Sequence, residues 1–238
     1  MTRTLDPQAA STLPPGADHY RAFVGPPGRY DLIGASQFAL LYMMGLREQH
    51  RLLDLGCGSL RLGRMAIPYL LEGRYFGVDP EAWLIDEGFA RELGRDARVL
   101  KQPRFDNNSD FRVDVFGERF DFIIAQSVFS HTTAALARSA LKNLGEQLAE
   151  GGLVLTNWLI AEDAPANDGG ELEWVYPDCV VFSSAQIDDL ARDAGLVARR
   201  TGWVHPTLTW YVFARHEADL PTQDFLDALA LAPRSHPG

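Results

Sequence analysis

The sequence contains few cysteines and no long hydrophobic run. Its two cysteines, Cys57 and Cys179, are too few for a disulfide framework and lack the spacing of a zinc site. The first twenty residues lack the basic start and apolar run of a signal peptide. The longest apolar stretch, residues 38–44, is far below the roughly 18 residues that span a bilayer. These absences predict a cytoplasmic protein with no membrane partner.

Positive charge is also scarce. The 238 residues include 22 basic and 32 acidic side chains, which gives a formal net charge of −10. Proteins that bind nucleic acid neutralise phosphates with lysine and arginine, so this balance predicts no nucleic-acid partner. The hydrophobic share of 46% is that of an ordinary folded domain, and the length suits a single one. A homodimer is compatible with the sequence.

Short apolar runs alternate with amphipathic stretches from Arg51 onward. This pattern predicts strands at 52–55, 75–78, 98–101, 120–125, 153–158, 197–201 and 209–215, with helices at 35–46, 60–71, 80–93, 133–150 and 184–194. Alternating strands and helices form a mostly parallel sheet with helices on both faces. The short connection before the last strand predicts an antiparallel hairpin at one edge. The expected fold class is therefore α/β with about seven strands.

The two ends of the chain differ in composition from its middle. Residues 1–18 are rich in Thr, Ser, Ala and Pro, which predicts a flexible N-terminal arm. Residues 19–216 hold the predicted domain, and residues 217–238 are expected to form a C-terminal helix and tail.

A glycine-rich turn follows the first predicted strand, in Asp54-Leu55-Gly56-Cys57-Gly58. Doubly wound sheets bind ligands at this place, and glycines let a ligand lie against the backbone. A tight turn without a ligand would show the same two glycines. Arg61 stands where a dinucleotide fingerprint needs a small residue, and Asp54 is badly placed for a pyrophosphate. A carboxylate here suits a ligand with ammonium and sulfonium groups, such as S-adenosylmethionine.

Asp79 ends the second predicted strand, in Gly77-Val78-Asp79. An acidic residue at the tip of this strand can accept hydrogen bonds from both hydroxyls of a ribose. The alternative is a helix N-cap, because Pro80 follows and proline favours the first helical position.

These residues resemble the class I S-adenosylmethionine-dependent methyltransferase family, in particular its bacterial small-molecule and sugar O-methyltransferases. Residues 53–58 match its first motif, 77–79 its second, 120–125 its fourth-strand motif and 148–155 the turn into strand five. The resemblance covers residues 18–216. It implies a Rossmann-like, seven-stranded, mostly parallel sheet with helices on both faces, an antiparallel edge hairpin, and S-adenosyl-L-methionine as cofactor.

The cofactor-binding candidates are Asp54, Gly56, Cys57, Gly58, Arg61, Asp79, Asp110 and Gln126. The resemblance implies that the glycine turn holds the methionine end, that Asp79 holds the ribose and that Gln126 lies near the sulfonium. Arg61 either clamps the cofactor carboxylate or is a surface charge of a helix. Asp110 either accepts from the adenine amine or belongs to a solvated turn.

The end of strand four carries His131, at a position where many family members have a histidine. Histidine titrates near neutral pH and can take the proton of a hydroxyl, so His131 is the catalytic candidate. Its alternative role is to stabilise the turn. His205 is expected at the surface. No set of Asp, His and Glu at the strand ends has convincing metal-ligand spacing, so the sequence names no metal ligand and does not decide metal dependence.

The segment 157–182 after strand five carries aromatic side chains among acidic ones. Trp158, Trp174 and Tyr176 are the substrate-binding candidates, since aromatic faces stack on sugar rings; the alternative is that they only pack this segment. The predicted function is methyl transfer to a hydroxyl of a small molecule or sugar. Two alternatives stay open: a small-molecule N-methyltransferase and a non-catalytic scaffold that binds S-adenosylmethionine.

Overall fold

The chain forms two compact units in the computed structural model, Met1–Ile124 and Ala125–Gly238. The structure describes residues 2–165 and 171–230. No helix within these two ranges is both long and apolar enough to cross a membrane.

The first unit is built on parallel strands. They are β1 (Leu52–Leu55), β2 (Tyr75–Val78), β3 (Arg104–Asp106) and β4 (Phe120–Ala125), in the spatial order β3-β2-β1-β4. β1 pairs with β2 and β2 with β3, both in parallel. Every residue of β1 and β2 is buried, as expected for strands covered on both faces.

Five helices of the first unit are α1 (Tyr20–Phe23), α2 (Tyr30–Met43), α3 (Gly63–Tyr69), α4 (Ala82–Gly88) and α5 (Asp96–Lys101). A π-helical turn, Phe89–Leu93, continues α4. Gly34 lets α2 approach the turn after β1, because a Cβ there would lie 2.4 Å from the Arg61 carbonyl oxygen. Any larger residue at this position would force α2 away from that turn.

The second unit is mainly antiparallel. Its strands are β5 (Leu148–Ile160), β6 (Val181–Phe182), β7 (Val197–Arg200) and β8 (Thr209–Ala214), and its helices are α6 (Ala134–Gln147), α7 (Ser184–Asp193) and α8 (Gln223–Ala228). β8 pairs antiparallel with both β5 and β7, and β6 pairs in parallel with the end of β5. Thr133 caps α6, and Ser183 with Gln186 forms a capping box on α7.

The α/β class and the antiparallel edge pair are confirmed. The described residues hold eight strands, since the short β6 was not expected. The strand predicted at 98–101 is wrong: these residues belong to α5, and β3 comes three residues later. Asp96 in the first turn and Lys101 in the last suit the dipole of a helix there. α6 ends at Gln147 rather than at 150, because Leu148 is already extended and buried at the start of β5.

The predicted flexible arm makes defined contacts. Residues 2–18 include two 3-10 helices, Thr2–Thr4 and Ala9–Thr12. The guanidinium of Arg91 donates hydrogen bonds to the carbonyl oxygens of Arg3 and Leu5, at 3.0 and 3.2 Å. At the other end of the chain, α8 lies within the predicted C-terminal helix and tail, and residues 231–238 of that tail are outside the described ranges.

Candidate functional site

The glycine turn after β1 is held against the end of β2. The N–H groups of Gly56 and Cys57 both donate to the Val78 carbonyl oxygen, at 2.8 and 3.1 Å. Gly56 and Gly58 have φ values of 72° and 50°, a region in which residues with a side chain are strained. The two glycines are therefore required by the turn itself, whether or not a ligand is bound.

Asp79 forms hydrogen bonds both to the glycine turn and to the backbone that leads into α4. Its Oδ2 accepts the Gly58 N–H at 2.8 Å, and its Oδ1 accepts the Glu81 N–H at 2.9 Å. Burial raises the pKa of Asp79 to about 6, against the effect of these two bonds. Asp79 is not the N-cap of α4, because that helix begins at Ala82 and its N-cap is Glu81. Each carboxylate oxygen of Asp79 keeps a second lone pair, so the geometry is compatible with ribose binding.

Asp54 lies deeper in the same unit. Only 3% of its surface is exposed, and its Oδ2 accepts the hydroxyl proton of Tyr75 at 2.7 Å. Burial raises the pKa of Asp54 to about 7, while the Tyr75 bond and the charge of Arg61 act in the opposite direction. Asp54 and Asp79 are thus two buried carboxyl groups whose pKa values are raised by burial, so that they ionise at higher pH than exposed carboxyl groups do.

Arg61 is also buried, so the alternative of a surface charge is wrong. One of its guanidinium nitrogens donates to the Val24 carbonyl oxygen at 3.0 Å, and burial lowers its pKa. Arg61 therefore ties the segment between α1 and α2 to the glycine turn. That segment also touches the turn directly through the Val24 side chain.

Substituting Gly58 by Ala should disrupt this contact. The new Cβ would lie 2.6 Å from Val24 Cγ1. The alanine would also have to adopt a positive φ, which by itself costs about 1–2 kcal/mol. Gly73→Ala is the matched control, because Gly73 has a φ of 69° and no neighbour within 4 Å of its Cβ position. Urea unfolding should show the larger loss of stability for Gly58→Ala; equal losses would show that Val24 moves aside at no cost.

Two other cofactor candidates, Cys57 and Asp110, differ in burial. The Cys57 side chain faces Gly77 on β2, where a Cβ would lie 2.9 Å from its Sγ, and burial raises its pKa well above the usual range. Asp110 is exposed at the tip of its loop. The loop is held instead by Asn108, which donates to Asp106 Oδ1 at 2.7 Å and accepts the Arg112 N–H at 3.0 Å.

Asn107 belongs to the segment 107–111, from which the sequence analysis chose Asp110 as the cofactor candidate. Its side-chain amide donates to the Asp79 carbonyl oxygen at 2.6 Å, so it fixes the backbone beside that carboxylate. The only signal in the sequence is its position directly after the end of β3.

In the second unit, a strained turn follows β4. Ser127 has a φ of 56°, and its N–H donates to Asn157 Oδ1 at 2.7 Å. The neighbouring side chain, Gln126, is buried, and its amide lies 3.2 Å from Nε2 of His205. His205 is thus half-buried beside a predicted site residue rather than at the surface.

His131 ends a 3-10 turn, Phe129–His131. Its Nδ1 lies 2.7 Å from the Asp178 carbonyl oxygen. Because a carbonyl only accepts, Nδ1 must carry the proton, and the lone pair of a neutral His131 is on Nε2. This tautomer is the one that a general base needs, and the contact with Asp178 also stabilises the turn.

Trp174 and Tyr176 lie beside His131, so the structure brings three predicted residues together in an aromatic cluster. Their ring centroids are 5.7 and 5.0 Å from the imidazole, and the two rings stack on each other at 6.4 Å. Backbone contacts hold this arrangement, since the Val175 N–H donates to the His131 carbonyl oxygen and Thr132 forms a bridge with Trp174. Half of the Trp174 surface is exposed.

The prediction that Trp158 binds the substrate is wrong. Trp158 lies within β5 and is fully buried, with its ring 4.7 Å from Phe129 and 5.0 Å from Phe182. Its indole N–H donates to Thr156 Oγ1 at 2.6 Å. The side chain fills the core of the second unit and has no face left for a ligand.

The second unit also contains a cavity of about 290 Å³ next to α8. It is lined by the connection between β7 and β8, including Trp203, His205 and Leu208, and by Gln223 and Asp227. In the part of the chain that the structure describes, no group of three or more His, Cys, Asp or Glu side chains could hold a metal ion.

Residues 53–154 match the family model described as a methyltransferase domain. This match, together with the fold, confirms the resemblance to S-adenosylmethionine-dependent methyltransferases that was drawn from the motifs. It covers β1 to the first half of β5 and includes the glycine turn, Asp79 and His131.

Several solved structures are similar to the chain. Magnesium protoporphyrin IX methyltransferase from Synechocystis with bound SAM has a TM-score of 0.60 and 17% identity, over 91% of this chain and 100% of that one. An amino pentose methyltransferase from Micromonospora echinaspora has a TM-score of 0.55 and 17% identity, over 79% and 92%. A glycopeptide N-methyltransferase has a TM-score of 0.57 and 13% identity, over 77% and 90%. At these identities the similarity shows the fold alone.

Proposed function

We propose that the protein transfers a methyl group from S-adenosylmethionine to a hydroxyl of a small molecule, with a sugar hydroxyl as the first candidate. The observation that carries this proposal is the tautomer of His131, whose Nε2 lone pair is free to take a proton because Nδ1–H donates to Asp178. We further propose that the protein acts in the cytoplasm on small molecules and not on nucleic acid.

The first unit offers the groups that a cationic cofactor needs. Asp54 and Asp79 are buried carboxyl groups with raised pKa values, which a positive charge would lower again. We assign Asp79 to the ribose hydroxyls, the turn at Gly56 and Gly58 to the methionine end, and Asp54 to the charge balance of the bound cation. When bound, S-adenosylmethionine supplies the electrophilic methyl group.

The aromatic cluster suits a hydroxylated ring as the methyl acceptor. The Trp174 and Tyr176 rings can stack on the apolar face of a sugar, while His131 takes the proton from a hydroxyl as the oxygen gains the methyl group. Glu171 and Glu173 lie in the same exposed segment, so an amine is a second candidate for the methylated group. Similar folds include an amino pentose methyltransferase and an N-methyltransferase.

Asp79→Asn tests the cofactor assignment. The change removes the charge and one of the acceptor oxygens that the ribose would use, so the affinity for S-adenosylhomocysteine should fall by about tenfold to a hundredfold. Asp86→Asn is the control, since Asp86 is an exposed carboxylate of α4. Isothermal titration calorimetry measures both. Wild-type affinity in Asp79→Asn would leave this carboxylate with only its structural bonds to the Gly58 and Glu81 N–H groups.

A panel of methyl glycosides of pentoses and hexoses, with their amino-sugar analogues, tests the acceptor class. Incubation with S-adenosylmethionine carrying a labelled methyl group should transfer label to oxygen in the neutral sugars. Transfer only to the amino sugars would favour the N-methyltransferase. Tight cofactor binding with no transfer to any compound would favour the scaffold.

A further inference from the structure

The connection between α1 and α2 lies against the glycine turn. Residues 24–28 of this connection have the sequence Val-Gly-Pro-Pro-Gly and are called the strap below. A Cβ on Gly58 would lie 2.6 Å from Val24 Cγ1 and 3.6 Å from Val24 Cβ. A glycine lets a ligand lie against its open face, and at Gly58 the valine side chain of the strap lies against that face instead.

The strap also lies beside Asp79. Its Oδ2 is 4.0 Å from the same Cβ position of Gly58, and only 8% of the Asp79 surface is exposed. Gly56, by contrast, is exposed. The glycine turn is therefore accessible at its first glycine and covered at its second, next to the carboxylate that we assign to the ribose.

Both ends of the strap are anchored to the first unit. Before the strap, the Arg21 guanidinium donates to Glu92 Oε1 at 2.8 Å. After it, the hydroxyl of the buried Tyr30 donates to the Ser59 carbonyl oxygen at 2.8 Å. These contacts fix the two points between which the strap can move.

The middle of the strap combines a hydrogen bond with a glycine. Arg61 donates to the Val24 carbonyl oxygen at 3.0 Å, which holds the strap on the turn. Gly25 follows directly, with a φ of 127° that a residue with a side chain rarely adopts. Glycine can take up large changes of backbone angle, so Gly25 is suited to act as a hinge between the two anchors.

We propose that the strap is an autoinhibitory segment: Val24 lies in the place of the cofactor against Gly58, and the strap moves away when S-adenosylmethionine binds. A valine methyl group and a ligand atom cannot lie against the same face of Gly58, because non-bonded carbon atoms stay about 3.5–4.0 Å apart. The cofactor then binds only the open form, so its apparent affinity is reduced by the fraction of protein in that form. The inference rests on the proposed assignment of the glycine turn and Asp79 to the cofactor.

The contact itself is tested without any cofactor. Urea unfolding of Gly58→Ala, Val24→Ala and the double variant forms a double-mutant cycle. Gly58→Ala should raise the unfolding equilibrium constant at least about threefold less in Val24→Ala than in the wild-type background, since the smaller side chain leaves room for the new Cβ. Equal effects in the two backgrounds would overturn the proposal.

Cofactor binding tests the autoinhibition. Val24→Ala should bind S-adenosylhomocysteine about threefold to tenfold more tightly than the wild type, because the closed form loses apolar contact. The gain should lie in the association rate, with an unchanged dissociation rate. Calorimetry measures the affinity and stopped-flow fluorescence the rates. Val99→Ala is the control and should behave as the wild type, since Val99 lies on α5 and is 75% exposed.

A backbone variant should act in the same direction. Alanine at Gly25 is strained at the φ of the closed strap, so Gly25→Ala should also bind S-adenosylhomocysteine more tightly than the wild type. Gly45→Ala is its control, because Gly45 has a φ of 102° and no neighbour within 4 Å of its Cβ position. This control should lower stability without raising affinity.

Three results would contradict the proposal. Weaker binding with faster dissociation in Val24→Ala would show that the strap holds the bound cofactor as a lid. Wild-type affinity in both Val24→Ala and Gly25→Ala would show that the strap does not compete with the cofactor. If neither the wild type nor these variants bind S-adenosylhomocysteine, the proposed function fails together with the autoinhibition, and the urea cycle still decides whether Val24 contacts Gly58.

Discussion

Asp54→Asn is expected to stabilise the cofactor-free protein at pH 8 and, at the same time, to weaken its binding of S-adenosylmethionine. The carboxylate of Asp54 is buried, and its pKa is about 7 instead of the usual value near 4. Asparagine has nearly the same shape and can still accept the Tyr75 hydroxyl proton. The substitution therefore removes a buried charge and keeps the hydrogen bond.

The pH dependence of this effect has a definite sign. Between about pH 4 and pH 7 the folded protein binds the Asp54 proton and the unfolded chain does not, so stability falls as the pH rises through this window. A pKa raised from 3.8 to about 7 corresponds to a loss of stability of roughly 4 kcal/mol once the group is ionised. Urea unfolding should show Asp54→Asn as the more stable protein by up to about this amount at pH 8, and by much less at pH 5.

Binding should show the opposite effect at pH 8. S-adenosylmethionine carries a sulfonium charge that S-adenosylhomocysteine lacks, so the loss of the Asp54 charge should lower affinity for the former by at least about tenfold and for the latter by less. Asp86→Asn, at an exposed position, should change neither stability nor binding. A variant that is less stable than wild type at pH 8 would show that the charge of Asp54 stabilises the fold.

The part of the site in the first unit was largely predictable from the sequence. The glycine turn and Asp79 follow short, mostly apolar strands, and the parallel pairing of β1 with β2 brings the two strand ends together. The burial of Arg61 was not predictable, because its partner is the Val24 carbonyl oxygen, 37 residues earlier in the chain. Local patterns carry no information about such a contact.

In the second unit, the position of a residue along the chain did not predict whether its side chain is buried. Trp158 is the last residue of the predicted fifth strand and Trp174 lies in the segment after it, but β5 extends to Ile160 and takes Trp158 into the core. His205 was expected at the surface because it precedes a proline in a short connection. Its two backbone donors come from the same connection, whereas its contact with Gln126 spans 79 residues of chain.

His131→Ala should remove most of the methyl transfer and leave cofactor binding unchanged. A general base that accepts a proton in the transition state contributes about 10²- to 10⁴-fold to the rate, so kcat for a hydroxyl acceptor should fall by that range. Calorimetry with S-adenosylhomocysteine should give a wild-type affinity, since the cofactor groups assigned here are the glycine turn and two carboxylates. His216→Ala is the control for the loss of an imidazole ring, because His216 is exposed.

His131→Asn separates catalysis from support of the turn. The amide nitrogen of asparagine can replace Nδ1–H as the donor to the Asp178 carbonyl oxygen, but the side chain has no basic atom in place of Nε2. As a result, His131→Asn should keep the thermal stability of the wild type and lose activity as completely as His131→Ala. Recovery of kcat in His131→Asn would instead make His131 a support for the segment with Trp174 and Tyr176, and would favour an amine as the methyl acceptor, because an amine needs less help from a base.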